Sequence, residues 1–246
     1  MDNMFTIYSD KKIDYIKEKI AKNSVNLEDA VKIVSFGLNT EDNKKYFGEK
    51  KLNENYKKAV MGRDIDRWQI KNKNKYVFYD KKVLTRIGDE KAFLSKEKLI
   101  MQRIGAGLIV AFDDEQYYCY NSTNMILSKD KNFDLKYILA LLNSDLFNAY
   151  YRIMFGIKAG LTVNVTQGYL SQLPIKKIFH NEQKSIIDIV DEILQIKKRI
   201  LILKDSDEKL NLKDKLNRLE TKLNELVYKI YSITNIERKI VEESLK

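Results

Sequence analysis

Ile186-Ile187-Asp188-Ile189-Val190-Asp191-Glu192-Ile193-Leu194-Gln195-Ile196-Lys197-Lys198-Arg199-Ile200-Leu201-Ile202-Leu203 decides the fold class of this chain. Ile186, Ile189, Ile193, Ile196, Ile200 and Leu203 recur at alternating intervals of 3 and 4, the a/d seam of an amphipathic helix. Leu212, Leu216, Leu219, Leu223, Leu226 and Ile230 repeat the pattern after a polar break at Lys204–Lys209, which puts the second seam out of phase with the first. The break predicts two antiparallel helices over 181–204 and 206–231, with Asp205 and Glu208 spaced as a capping box. One continuous helix with a stutter is the competing reading. A last short helix is expected over 235–245. The outer faces of such a coiled-coil hairpin are free for a partner, which favours a docking arm over a helix pair that packs only on its own domain.

Upstream of Pro174, the only proline, the pattern changes. After a short helix over 11–22, Val25–Leu38 reads as the start of a sheet, with Leu27, Val31, Ile33, Val34 and Phe36 as its apolar positions. Tyr76–Tyr79, Val83–Ile87, Leu99–Phe112 and Gln116–Leu127 are further strand candidates, the third broken by Gly105 and Gly107. Asp134 and Ser144 are placed to cap two helices, and Leu173-Pro174-Ile175 closes the unit. The expected fold class is therefore α+β: a β-rich domain over 1–176 followed by a long antiparallel helical hairpin, a coiled coil, over 177–246.

Charge is concentrated in one part of that domain. Residues 57–104 hold 14 Lys+Arg against 6 Asp+Glu, a net +8 of the chain's +10. At their centre stands Met61-Gly62-Arg63-Asp64-Ile65-Asp66-Arg67-Trp68. Cations interleaved with Trp68, Tyr76, Phe78 and Tyr79 suit a polyanion, because Lys and Arg displace condensed counterions from phosphates. A solvated lysine-rich face is the plainer alternative. Trp68 itself reads as core.

Several classes are excluded. One cysteine and one histidine rule out an intramolecular disulfide and the usual zinc sites. A single proline rules out the Asn/Asp-Pro-Pro-aromatic tetrapeptide of an adenine methyltransferase, and no Walker-type phosphate loop is present. Asp113-Asp114-Glu115 and Asp89-Glu90-Lys91 have the residue types of an Mg2+ nuclease, but such triplets are common in turns. The longest apolar runs are too short to cross a bilayer and no signal peptide opens the chain, so a cytoplasmic protein with no membrane contact is expected.

From Gly62-Arg63-Asp64-Ile65-Asp66-Arg67-Trp68 onward the chain resembles the TaqI-like C-terminal specificity domain, the target-recognition part of adenine-N6 DNA methyltransferases and of fused restriction–modification enzymes. Gly37-Leu38-Asn39-Thr40, Met101-Gln102-Arg103-Ile104-Gly105, Tyr118-Cys119-Tyr120-Asn121-Ser122-Thr123, Leu141-Leu142-Asn143-Ser144-Asp145-Leu146-Phe147-Asn148 and Leu170–Ile175 fit that family in order. Glu41 stands where the family commonly has a glycine. The Asn-Ser-x-Leu-Phe helix and the helices after Pro174 are also similar to type I restriction specificity subunits.

The resemblance implies a module that recognises double-stranded DNA and carries no catalytic residue or metal site of its own. It implies a methyltransferase domain or subunit as partner, with or without a nuclease, and S-adenosylmethionine and Mg2+ needed only there. It further implies that Arg63, Arg67, Arg86 and Arg103 contact phosphates or bases, with Gln102 placed to pair with adenine. Lys44, Lys45, Lys71 and Lys73 are phosphate candidates. Lys158, between Gly156 and Gly160, belongs to a loop that orders on DNA, and Asn164 and Thr166 beyond it are base-reading candidates. Two alternatives stand beside this reading: an assembly subunit that binds partners, or dimerises, through the coiled coil, and an Mg2+-dependent nuclease.

Overall fold

The computed structural model describes residues 2–71, 74–105, 107–154, 162–243 and 245. The chain opens with helix α1 (Asp2–Ala21), strand β1 (Ser24–Asn26) and the short helix α2 (Leu27–Ala30). Strands β2 (Val31–Ser35) and β3 (Asn39–Thr40) lead to α3 (Asn43–Tyr46), β4 (Phe47–Gly48) and β5 (Tyr56–Val60). A 3-10 turn at Gly62–Asp64 precedes β6 (Tyr76–Phe78), β7 (Leu84–Arg86) and α4 (Glu90–Phe93). Next come β8 (Lys98–Gln102), β9 (Ile104–Gly105), β10 (Val110–Asp113), β11 (Tyr118–Cys119) and β12 (Thr123–Ser128). Helices α5 (Leu135–Asn143) and α6 (Asp145–Met154) are followed by β13 (Val163–Asn164), α7 (Gln167–Leu170) and β14 (Pro174–Lys176). The last three helices are α8 (His180–Ile202), α9 (Asp207–Ile230) and α10 (Asn235–Glu243). The class is α+β, and no helix among the described residues is long and apolar enough to cross a membrane.

A four-stranded antiparallel sheet in the order β10-β8-β12-β2 is the spine. Its inner strands carry unbroken apolar runs at their centres, Leu99–Met101 and Met125–Leu127, because both faces are covered. Leu99 and Met101 of β8 face a core made with the helices, while Ile100 between them faces a second core made with the other sheet. That second sheet has the order β11-β5-β6-β4, and β11 runs parallel to β5. Where β8 and β10 begin and end together, Lys98 and Asp113 are cross-strand neighbours and form a fully buried ion pair of 2.6 Å. Lys98 also donates to the Phe93 carbonyl, and Asp113 accepts from the Glu115 and Tyr117 amides.

Helices α5 and α6 dock on the sheet through two asparagines. The Asn143 carboxamide donates to the Val110 carbonyl at 2.9 Å and accepts from its amide at 3.1 Å, and Asn148 accepts from the Leu108 amide at 2.7 Å. Ser144, the cap read from the sequence, accepts from the Phe147 amide at the start of α6. Pro174-Ile175 forms β14, antiparallel to β1.

The chain after Pro174 forms two helices rather than one. Arg199 pairs with Glu208 and Glu192 with Lys215, so contacts run in opposite senses along α8 and α9. The N-cap of α9 is Ser206, which accepts from the Lys209 amide, one residue beyond the expected Asp205. Asp205 pairs with Lys209 instead, and Glu208 is taken by Arg199. The seam is shared with the rest of the fold: Ile186, Ile189, Ile193 and Ile196 lie in the same hydrophobic cluster as Ile138, Leu142 and Trp68.

Candidate nucleic-acid interface

Ser35 ends β2, and Phe36 then takes a φ of 62°, the left-handed region that costs a non-glycine residue on the order of 1–2 kcal/mol. The next two residues hold it there. Gly37 lies so close to the chain opposite that a Cβ would stand 1.8 Å from the Cys119 carbonyl oxygen, so only glycine fits. Leu38 then donates to that carbonyl at 2.8 Å and accepts from the Asn121 amide at 3.0 Å. The sequence put Phe36 among the buried strand positions; the structure exposes 44% of it.

Two guanidinium groups gather on this ring. Arg103 lies 4.0 Å from its centroid and Arg86 5.1 Å. Arg103 follows the central strand β8, is half-buried, and donates from Nη1 to the Asn121 carbonyl at 3.0 Å. Burial, and then the neighbouring Arg86 charge, pull its pKa below the usual arginine value. Arg86 is exposed on β7, opposite Asn39 of β3. Neither arginine pairs with a carboxylate among the described residues. Beside them Ile104, 61% exposed, pairs with Asn164 across β9 and β13.

The Gly62-Arg63-Asp64 turn abuts the same end. Gly62 accepts from the Gln102 side chain at 3.0 Å and donates to the Ser122 hydroxyl at 2.9 Å, and the Arg103 amide bonds the Ser122 carbonyl. Arg63 is exposed and makes no ion pair among the described residues. Its neighbour Asp64 is buried and bonded to the Met61 amide and to Lys75 instead of to Arg63. Lys44 and Lys45 are exposed on α3, whose Asn43 accepts from the β3 residue Thr40. Lys71 is exposed as well.

Other sequence candidates are occupied elsewhere. Arg67 turns inward, donating to the Asn143 carbonyl at 2.5 Å with its guanidinium 5.9 Å from the Trp68 ring. Trp68 is fully buried and donates from Nε1 to Glu220 at 2.5 Å. The Gln102 amide is used by Gly62, and Thr166 caps α7 by accepting from the Tyr169 amide. Asn164 remains exposed, its carbonyl accepting from the Tyr151 hydroxyl. Lys73 and Lys158, with Gly156 and Gly160, lie outside the described residues.

The acidic triplets face cations within the fold. Asp113 pairs with Lys98, Asp114 with Lys198 and Glu115 with Lys58, while Asp89 caps α4 and pairs with Lys32. Burial raises the Cys119 thiol to about 12, which holds it in the unreactive protonated form.

The model of the TaqI-like C-terminal specificity domain matches residues 57–175. Among solved structures, the chain is similar to the type IIL restriction-modification enzyme MmeI in complex with DNA: 13% identity and a TM-score of 0.56, over 89% of this chain and 36% of that one. It is similar to the type IIG restriction endonuclease BpuSI at 10% identity and a TM-score of 0.50, over 90% of this chain and 33% of that one. The HsdS subunit from Thermoanaerobacter tengcongensis matches at 11% identity and a TM-score of 0.45, over 93% of this chain and 53% of that one. At these identities the likeness is one of fold, and the chain spans about a third of the length of the first two. No curated protein matches the chain.

Proposed function

We propose, from the match of residues 57–175 to the model of the TaqI-like C-terminal specificity domain, that the chain recognises duplex DNA for a restriction–modification system. Adenine methylation, cleavage or both are then carried out by a catalytic domain or subunit that this chain lacks, with S-adenosylmethionine and Mg2+ bound there. The observation that carries the reading is the gathering of Arg86 and Arg103, without carboxylate partners among the described residues, on the exposed ring of Phe36. Folding brings like charges together only at a cost, and a polyanion offsets that cost on binding.

In this reading the Phe36 end of the two-sheet platform faces the double helix. Lys44, Lys45, Arg63 and Arg86, all exposed, contact phosphates and set the register. Arg67 and Trp68 hold the basic turn to the sheet and contribute through its shape. A salt titration of duplex binding by the full chain tests this. Four phosphate contacts give a slope of about −3.6 in log K against log salt, and replacing all four residues by glutamine should bring it close to zero. A wild-type slope near zero would remove the reading.

One observation favours a second reading, an assembly subunit. At the turn between α8 and α9, Leu201, Ile202 and Leu210 are 39%, 83% and 59% exposed. Truncation at 181 would strip the shared core, so surface variants are the sound test. Ile202→Glu with Leu210→Glu should abolish self-association in sedimentation and leave DNA binding intact. A wild-type chain that sediments as a monomer counts against self-association.

A further inference from the structure

Arg103 and Arg86 meet the same ring in different states. Arg86 is exposed and its guanidinium makes no hydrogen bond among the described residues, so its fork is free to turn toward any anion within reach. Arg103 is held at several points. Its amide and carbonyl are bonded to the Ser122 carbonyl and the Val165 amide, its Nη1 to Asn121, and its guanidinium carbon lies 4.0 Å from the Phe36 centroid. Phe36 is in turn fixed by Gly37 and by the Leu38 bonds to Cys119 and Asn121. With Nη1 engaged, the edge left to Arg103 is the pair Nε and Nη2, two parallel N–H donors. An oriented pair of this kind suits two acceptors at fixed spacing, which a phosphate offers with two oxygens and guanine offers in the major groove with O6 and N7; with the exposed Arg86 beside it free to take the phosphate, the base is left to Arg103.

We propose that Arg103 reads a guanine in the target duplex, with Phe36 and Asn121 as positioning residues and Arg86 on the adjoining phosphate. This rests on the DNA-recognition reading above and adds the base that is recognised and the residue that recognises it. Ile104 and Asn164, both exposed, lie beside Arg103 in the chain and across the β9–β13 ladder.

The test uses the full chain and a randomised, labelled duplex pool, followed by titrations on the sequences retained. Wild type should enrich a motif that contains a guanine. Arg103→Lys keeps the charge but loses the fork, and should lower the preference for guanine at one position by about 5- to 100-fold with the salt slope unchanged. Phe36→Leu, which leaves the cation in place and removes the ring, should lower the same preference several-fold. Arg86→Gln should weaken binding to all sequences alike and reduce the slope by about 0.9.

Three outcomes overturn the proposal. Arg103→Lys weakening all sequences equally would make Arg103 a phosphate contact. A pool bound with normal salt dependence but without enrichment of guanine would remove the base reading and leave the DNA-recognition reading standing. No binding of any duplex would remove both. Circular-dichroism melting of each variant separates these results from misfolding.

Discussion

Lys98→Met lowers stability by about 3–5 kcal/mol, because it leaves the Asp113 carboxylate buried without its cation. Both side chains are fully buried, so water cannot replace the lost partner. For a chain of this length the melting midpoint falls by on the order of 10 °C, readable by circular dichroism. The double variant Lys98→Met/Asp113→Asn removes both charges and should recover part of the loss. Recovery is incomplete because the Glu115 and Tyr117 amides both depend on the Asp113 oxygens, and one carboxamide oxygen serves them less well. A single variant melting within 2 °C of wild type, a margin of roughly 1 kcal/mol, would mean that the pair is hydrated in solution.

The second large effect is expected at Gly37→Ala. The added methyl meets backbone, at 1.8 Å from the Cys119 oxygen and 2.8 Å from that of Tyr120, so no side chain can swing away to make room. The two strands must part, and the Leu38 bonds to Cys119 and Asn121 go with them. The loss should be about 3–4 kcal/mol by urea titration. Phe36→Gly acts oppositely on the fold. It relieves the left-handed strain and should be neutral or stabilising by up to about 1 kcal/mol, while guanine selectivity in duplex binding falls. If Phe36→Gly destabilised as much as Gly37→Ala, the ring would belong to the core and not to the interface.

Much of the fold was legible because it obeys simple periods. The 3 and 4 spacing from Ile186 to Ile230, broken at Lys204–Lys209, marks two helices, and Ser144 and Asp134 cap the helices they were expected to cap. Trp68 is core, as expected. The local detail was less visible. Leu27–Ala30 forms a short helix inside an expected strand, because β1 must first pair with the distant β14.

The candidate site was legible in composition but not in orientation. A run of cations states that charge is present, yet Arg67 and Arg63 differ in which side of the turn they leave, and only the pairing of Trp68 with Val110 and Ala111 decides it. Phe36 was missed for the opposite reason: an aromatic at the end of a β-branched run reads as buried. Gly37 was the one signal, since a glycine required by a close crossing also fixes the residue before it. Lys98 was missed because a lysine in a strand is ordinarily taken as solvent-facing, and its partner Asp113 lies a hairpin away.

Segment 66–68 ties three layers at consecutive positions: Asp66 to Lys197 of α8, Arg67 to the end of α5, and Trp68 to Glu220 of α9 and to both neighbours of Ala111 on the edge of the spine sheet. Independent swing of the helix pair is thereby arrested. A tilt of α8 or α9 must tear these ties or carry the Gly62–Asp64 turn along with it, so the platform and its helices transmit torque as a single lever.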